Sequence, residues 1–390
     1  MRIQVIVVAS LTTSLGALGH ATELQNEIQA SLPALYQAQV LPPFSPTPEG
    51  YESLKNALIK GGIEDRYLII SLGEVGITTF TQILADKDIQ TNNLALIWGG
   101  HQYLPELDPL IGKLDIIDLP LHERSLIEAK VKNSKTKLVS AMGVPNDFTP
   151  KNLNLYLDHY RADIEAILGK KTVCIGVFLG GDAPDRQKRS LVFTSQCAAK
   201  LGEHLKSLAK KKDAAVIITA GVRTQPEILR KFVSPFENSG LSYKVVDANT
   251  KGFSYALLAF LKEASLLSAK LPISQSARTS EVYVTFDSIT MGTAVIETQA
   301  PGSVTAMGID SMSDSHLAFA DLAYNHGLVS YLKWDQKNHE YEFLPRLNKK
   351  ETESDLSFAR ESAARMSAKG MVKVLTELNF FVKSKDKIAT

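Results

Sequence analysis

Short apolar runs alternate with stretches whose apolar positions recur at helical spacing along nearly the whole chain. That alternation predicts a parallel α/β architecture, because a buried parallel strand is apolar on both faces and its crossover helix on one stripe. In the first half, strands are predicted at Ile3–Ala9, Tyr67–Ser71, Leu94–Trp98, Ile116–Leu119 and Leu138–Ala141, with helices at Gly50–Lys60 and Thr78–Ala85. Leu153, Tyr156, Leu157, Tyr160, Ile164 and Ile167 then share one face of a helix over Asn152–Leu168, which Gly169-Lys170-Lys171 ends. A domain boundary is placed there. The second half repeats the pattern, with strands at Val173–Leu179, Ala215–Thr219, Tyr243–Val246, Val282–Thr285 and Gly302–Thr305. Helices are predicted at Ser195–Leu208, Gln225–Val233, Phe253–Leu267, Thr290–Thr298 and Leu317–Tyr324. Residues 336–353 are polar and charged and read as an exposed loop, and Ser354–Phe381 reads as a helical tail broken near Gly370 that packs back onto the first domain. The expected organisation is therefore 1–169, 170–335 and 336–390.

The N-terminus has two readings. Ile3–Ala9 suits a buried first strand feeding a glycine-containing loop, with a helix from Thr22 to Leu32 stopped by Pro33. The alternative is a cleaved secretory leader over residues 1–21, with a secreted or periplasmic protein behind it. Gln4 interrupts the apolar run and Thr12, Thr13 and Ser14 fall where a leader would stay apolar, which favours the strand and a cytoplasmic protein.

Composition narrows the picture little. At 390 residues, 44% hydrophobic and 22% charged, the chain is long enough for two ordinary cores. A net charge of +1 gives no field that would gather nucleic acid or an anionic membrane. The run Lys210-Lys211-Lys212 follows a helix and suits its C-terminal dipole. Cys174 and Cys197 have no CxxC partner and read as buried reduced thiols. No stretch reaches the length of a transmembrane segment.

The candidate chemistry sits just after predicted strands. Val282–Thr285 runs into Asp287-Ser288 and then a helix through Met291 that Pro301 stops: a strand, a hydroxyl-capped turn and a helix N-terminus whose unpaired N–H groups favour phosphate. Gly180-Gly181-Asp182 follows Val173–Leu179, and Gly221-Val222-Arg223-Thr224 follows Ala215–Thr219. Glycines give a phosphate room to approach the backbone, and an arginine gives it a planar cationic fork. In an open α/β sheet these strand-end turns share one edge, where ligands bind. In the first half, Gly19-His20 follows the first strand and Gly99-Gly100-His101 the third, and either histidine could act as a general base. Asp86-Lys87-Asp88 lies after a helix and reads as surface. The histidines lack metal-ligand spacing, so no metal is expected, and the GxxxxGK[ST], GxSxG and GxGxxG motifs are absent.

Gly19-His20, Leu179-Gly180-Gly181, Arg223-Thr224-x-Pro226-Glu227 and Val284-Thr285-x-Asp287-Ser288-x-x-Met291, in this order, resemble the family named for plant mitochondrial fission, the "elongated mitochondria" proteins, with its bacterial glycosyltransferase-like members. The resemblance spans the chain from the first strand to about residue 332. It implies a GT-B-like fold, two Rossmann-like domains facing across a cleft, with a nucleotide-sugar on the second domain and an acceptor on the first. The chain departs from the family at Ala294, where a glutamate that would hold the donor ribose is usual, at Gln299, where glycine is usual, and at Glu23, where glutamine is usual.

The resulting expectation is a glycosyltransferase that uses a nucleotide-diphosphate sugar as co-substrate, with no cofactor and no metal. Gly180, Gly181, Arg223, Thr224, Asp287, Ser288 and Met291 would hold the diphosphate; His20, and after it His101, would activate an acceptor of unidentified nature. The rival expectation is a non-catalytic transferase-like scaffold that binds a protein or a peripheral membrane partner. Ala294 favours the rival.

Overall fold

A computed structural model of the chain describes residues 2–8, 15–32, 37–40, 45, 47–61, 65–247, 249–250, 252–270, 279–300, 302–347 and 361–381. They form two compact units, Met1–Asp147 with Glu361–Thr390, and Phe148–Arg360.

Unit 1 is a six-stranded parallel sheet. Its strands are β1 (Arg2–Val8), β2 (Gln37–Val40), β3 (Asp65–Leu72), β4 (Leu94–Gly99), β5 (Ile116–Asp118) and β6 (Lys137–Val139), in the order β2-β1-β3-β4-β5-β6. Its helices are α1 (Leu15–Ser31), α2 (Pro48–Lys60), α3 (Gly73–Ala85), α4 (Arg124–Val131) and one from the far end of the chain. Alternate strand residues feed opposite layers, as the two-residue repeat of a strand requires. Ile6, Val8, Ile69, Leu96, Trp98 and Ile117 pack with Phe80 and Ile83 of α3. Val5, Val7, Leu68, Ile70 and Ile97 pack with Leu24 and Ile28 of α1. The N-terminal apolar run is thus a central strand, hydrogen-bonded to β3 along its length.

The helix after it starts earlier than the sequence suggests. α1 begins at Leu15, so Gly19 and His20 lie inside a helix and not on a loop. Gly19 serves close approach: a Cβ there would come within 2.9 Å of the Asp147 carboxyl carbon.

Unit 2 opens with α5 (Pro150–Leu168) and carries β7 (Val173–Leu179), the short pair β8 (Ala183–Pro184) and β9 (Ser190–Leu191), α6 (Ser195–Lys212), β10 (Ala215–Ala220), α7 (Pro226–Val233) and β11 (Tyr243–Val246). It continues through α8 (Phe253–Lys270), β12 (Thr279–Thr285), α9 (Ile289–Thr298), β13 (Val304–Met307), α10 (Asp314–Asn325), β14 (Ser330–Asp335) and β15 (Glu340–Leu344). The main sheet runs β11-β10-β7-β12-β13-β14-β15, parallel except for the last pair. From β7 the chain winds outward to β10 and β11, then returns to β12 on the other side. That reversal lies between β7 and β12, where a doubly wound sheet opens its crevice.

Three features depart from the sequence reading. The units part between Asp147 and Phe148, not at Gly169, because α5 lies along α8. Phe148 stacks on Tyr255 at 4.1 Å, and Gly252, with φ +81°, lies under Tyr156. Residues 340–344, expected in an exposed loop, form the antiparallel edge strand β15: Tyr341 packs on Trp334 at 4.8 Å while its glutamate neighbours face outward. The last helix, α11 (Ala363–Glu377), runs unbroken through Gly370 and belongs to unit 1. Gly370 lies against β6, where a Cβ would meet Val139 Cγ1 at 2.8 Å. Residues 354–360, placed in the helical tail, lie outside the described residues. Cys174 and Cys197 are both buried, and neither is in a disulfide.

Candidate functional site

The three strand-end turns singled out in the second half meet at the β7/β12 reversal. Arg223 is their common tie. Its Nη1 donates to the Asp182 carbonyl at 3.0 Å, and its Nη2 donates to both the Asp287 carbonyl and Asp287 Oδ2, each at 3.0 Å. Asp287 Oδ2 also accepts from the Gly181 N–H at 3.0 Å. Thr224 Oγ1 donates to the Gly180 carbonyl at 2.6 Å, and the Gly180 N–H donates to Thr285 Oγ1 at 2.7 Å. Both glycines are required by proximity. A Cβ on Gly180 would stand 1.9 Å from Asp287 Oδ1, and one on Gly181 would stand 2.1 Å from the Arg223 carbonyl oxygen.

Ser288 caps α9 by accepting from the Met291 N–H at 3.3 Å. The first-turn N–H groups ahead of Met291 have no intrahelical acceptor and carry the positive end of the helix dipole. The helix is held rigid from behind. Gly292 lets Phe319 stack on Phe286, with centroids 5.1 Å apart, and Ala294 and Val295 are wholly buried. Ala294 therefore faces the core.

The electrostatics differ from a free cationic claw. The Asp287 side chain is fully buried beside a guanidinium that is 38% exposed. Burial pushes the Asp287 carboxyl up, and Arg223 pulls it back. Oδ1 has no hydrogen-bond partner. A carboxylate from the chain itself thus takes the Gly181 N–H and one edge of Arg223, two of the donors expected to face a phosphate.

The sequence reading missed Ser311 and named Asp182 only as part of its loop. Ser311, fully buried after β13, donates to the Gly181 carbonyl at 2.8 Å, and Asp182 Oδ1 accepts from the Phe193 N–H at 2.9 Å, fastening the β8–β9 hairpin to the site. The signal for Ser311 was positional: it too follows a strand of this sheet.

In unit 1, His20 on α1 is 7% exposed and its Nε2 has no partner. A Cβ on Gly99, at the end of β4, would lie 4.0 Å from that nitrogen. Burial, helped by the neighbouring His101, lowers the His20 pKa to about 3, so the ring is neutral at working pH. A neutral imidazole can accept a hydroxyl proton's hydrogen bond, but it is a weak proton sink until a nearby negative charge raises its basicity. His101 itself is exposed. Asp118, beside Gly99 in the β4–β5 register, is buried, and its Oδ1 accepts from Ser367 Oγ of α11 at 2.9 Å.

Asp86 and Asp88 both pair with Lys55, each at 2.8 Å, which uses them as a surface ion cluster. Among the described residues, no group of three or more His, Cys, Asp or Glu side chains is placed to hold a metal ion, and no helix is long and apolar enough to cross a membrane.

No protein-family model and no curated protein sequence matches the chain. Solved structures do. The UDP-GlcNAc 2-epimerase of Methanocaldococcus jannaschii superposes with a TM-score of 0.56 over 97% of this chain and 100% of that one, at 10% identity. A UDP-forming α,α-trehalose-phosphate synthase of Burkholderia xenovorans aligns over 100% and 99% at 10% identity, with a TM-score of 0.48. At such identity the epimerase match establishes fold: the chain has the GT-B-like fold of two Rossmann-like domains.

Proposed function

We propose that the protein is a GT-B-like glycosyltransferase, related to the bacterial glycosyltransferase-like members of the mitochondrial-fission family through the four motifs named above. The observation that carries the reading is the meeting of Gly180-Gly181, Arg223-Thr224 and Asp287-Ser288 at the β7/β12 reversal. A sugar nucleotide's diphosphate would lie on the α9 N-terminus, against Ser288, the Met291 turn and the outward edge of Arg223. Fixed N–H donors and a half-exposed guanidinium stabilise the negative charge that grows on a leaving diphosphate, and need no rearrangement to do so. In this reading no metal takes part. His20 would accept from an acceptor hydroxyl, and His101 would be the secondary candidate. That the epimerase bears UDP in its name supports the choice of donor class.

A second reading, a transferase-like scaffold that binds a partner and does no chemistry, is favoured by two observations: Ala294 is buried and offers no ribose contact, and Arg223 is largely spent on the chain's own oxygens. Calorimetry on the full chain with UDP-, GDP- and ADP-sugars separates the two. The enzyme reading expects saturable binding of at least one, weakened in Ser288→Ala and weakened further in Arg223→Ala. No heat from any of them at millimolar concentration would leave the scaffold standing.

A further inference from the structure

Gly181, Arg223 and the α9 N-terminus make a set of donors suited to an anion, yet the anion in contact with the first two is Asp287. Its carboxylate is fully buried, accepts from both, and keeps Oδ1 unpartnered against Gly180. No other charged side chain is bonded to Arg223 among the described residues, so the pair contributes close to zero net charge. What remains for a ligand is the helix dipole, the Ser288 cap and the uncommitted edge of the guanidinium. We propose that Asp287 is a resident counter-anion that sets the ligand charge the site tolerates: it disfavours a diphosphate with a free terminal phosphate relative to one esterified at both ends. This rests on the sugar-nucleotide reading and deepens it.

The chemistry follows from protonation. A phosphate esterified on two sides carries one charge, whereas a terminal phosphate carries close to two at neutral pH, because its second ionisation lies near pH 6. A nucleoside diphosphate is therefore more anionic than the sugar nucleotide it came from. Asp287 cancels the attraction that Arg223 alone would exert, and the attraction lost is larger for the former. Asp287 would thus favour the donor over the spent nucleotide and speed the latter's release, while still holding Gly181 and Arg223 in place.

Asp287→Asn keeps an acceptor oxygen for Gly181 and Arg223 and removes the charge. On the full-length protein, calorimetry with inorganic pyrophosphate, UDP and UDP-GlcNAc should show pyrophosphate and UDP binding tightened about tenfold or more. UDP-GlcNAc should tighten less. Unchanged or weakened pyrophosphate binding in a variant whose circular dichroism matches the parent overturns the proposal. Should that variant not fold, Arg223→Gln tests the same idea in reverse, since it leaves Asp287 uncompensated. UDP should then lose more affinity than UDP-GlcNAc, and equal losses overturn the proposal. The sugar-nucleotide reading fails separately, if pyrophosphate responds to Asp287→Asn as expected while UDP-GlcNAc binds no better than pyrophosphate.

Discussion

Arg223 and Asp287 are joined twice: one guanidinium nitrogen donates to both the carboxylate and the backbone carbonyl of the same residue, each at 3.0 Å. The turn entering α9 is thereby fastened to the loop after β10, and through the Asp182 carbonyl to the loop after β7. Removing the arginine leaves a buried carboxylate with the Gly181 N–H as its remaining strong donor. Arg223→Ala should therefore destabilise unit 2, by about 1–3 kcal/mol given that the guanidinium is partly hydrated. Urea denaturation followed by circular dichroism measures it. A loss within a few tenths of a kcal/mol would mean the pair is not structural.

Three glycines of the site should respond unequally to alanine. At Gly181 the added methyl meets backbone at 2.1 Å, which cannot step aside, and at Gly180 it meets the buried Asp287 carboxylate at 1.9 Å. Gly221 has its nearest contact at 3.4 Å. Gly180→Ala and Gly181→Ala should each lower stability by about 1–3 kcal/mol or more and distort the site. Gly221→Ala should be tolerated. Melting temperatures of the three variants, measured side by side, check the order.

Asp118 makes the stability of unit 1 depend on pH. Burial raises its carboxyl from 3.8 to about 7, opposed by the Ser367 hydroxyl. Between those values the folded chain holds a proton that the unfolded chain has lost. Stability from this group is full below about pH 4, declines as pH rises to about 7, and is flat above. Asp118→Asn should remove that decline and be the more stable protein at pH 8. Denaturation midpoints at pH 5, 6, 7 and 8 for both proteins decide, and an unchanged slope in the variant would sink the assignment.

His20 acts in the opposite sense. Its pKa is lowered from 6.5 to about 3, so the unfolded chain takes up a proton that the folded chain refuses. Its contribution is present above pH 6.5 and is lost as pH falls toward 3. A neutral polar replacement, His20→Gln, should resist acid better than the parent. Equal acid midpoints would show that the ring becomes solvated before global unfolding.

Alanine at Gly370 pits propensity against packing. On an open helix face the change would add up to about 1 kcal/mol of stability. Here the methyl meets Val139 Cγ1 at 2.8 Å, so Gly370→Ala should destabilise, and Val139→Ala should recover part of the loss. Thermal melts of the single and double variants test both signs.

The parallel α/β pattern was legible because buried strands such as Val173–Leu179 and Leu94–Gly99 are continuous apolar runs bounded by turns. The strand-end loops of unit 2 were legible for the same reason, since a glycine pair or an Asp-Ser directly after such a run has few other places to lie. What could not be read is how the polar groups are used. Nothing local to Arg223 says that its fork will close on Asp287, 64 residues away. β15 was missed because Glu340 and Glu342 alternate with Tyr341 and Phe343, so an edge strand wet on one face looks like a charged loop. α11 was split at Gly370 because a helix-interior glycine reads as a break, when it marks contact with another element. His20 was placed on a loop because Gly19 suggested a turn; the glycine instead admits Asp147 beside a helix.

Helix α11 completes a unit whose other residues were made more than two hundred positions earlier. During synthesis the whole of unit 2 leaves the ribosome before the helix that covers Ala21, Leu24 and Ile28 of α1 exists. Until then that greasy stripe must be shielded by a chaperone or by transient contacts. Shortened chains ending before Glu361 should consequently clump when expressed, even though they contain every residue assigned here to chemistry.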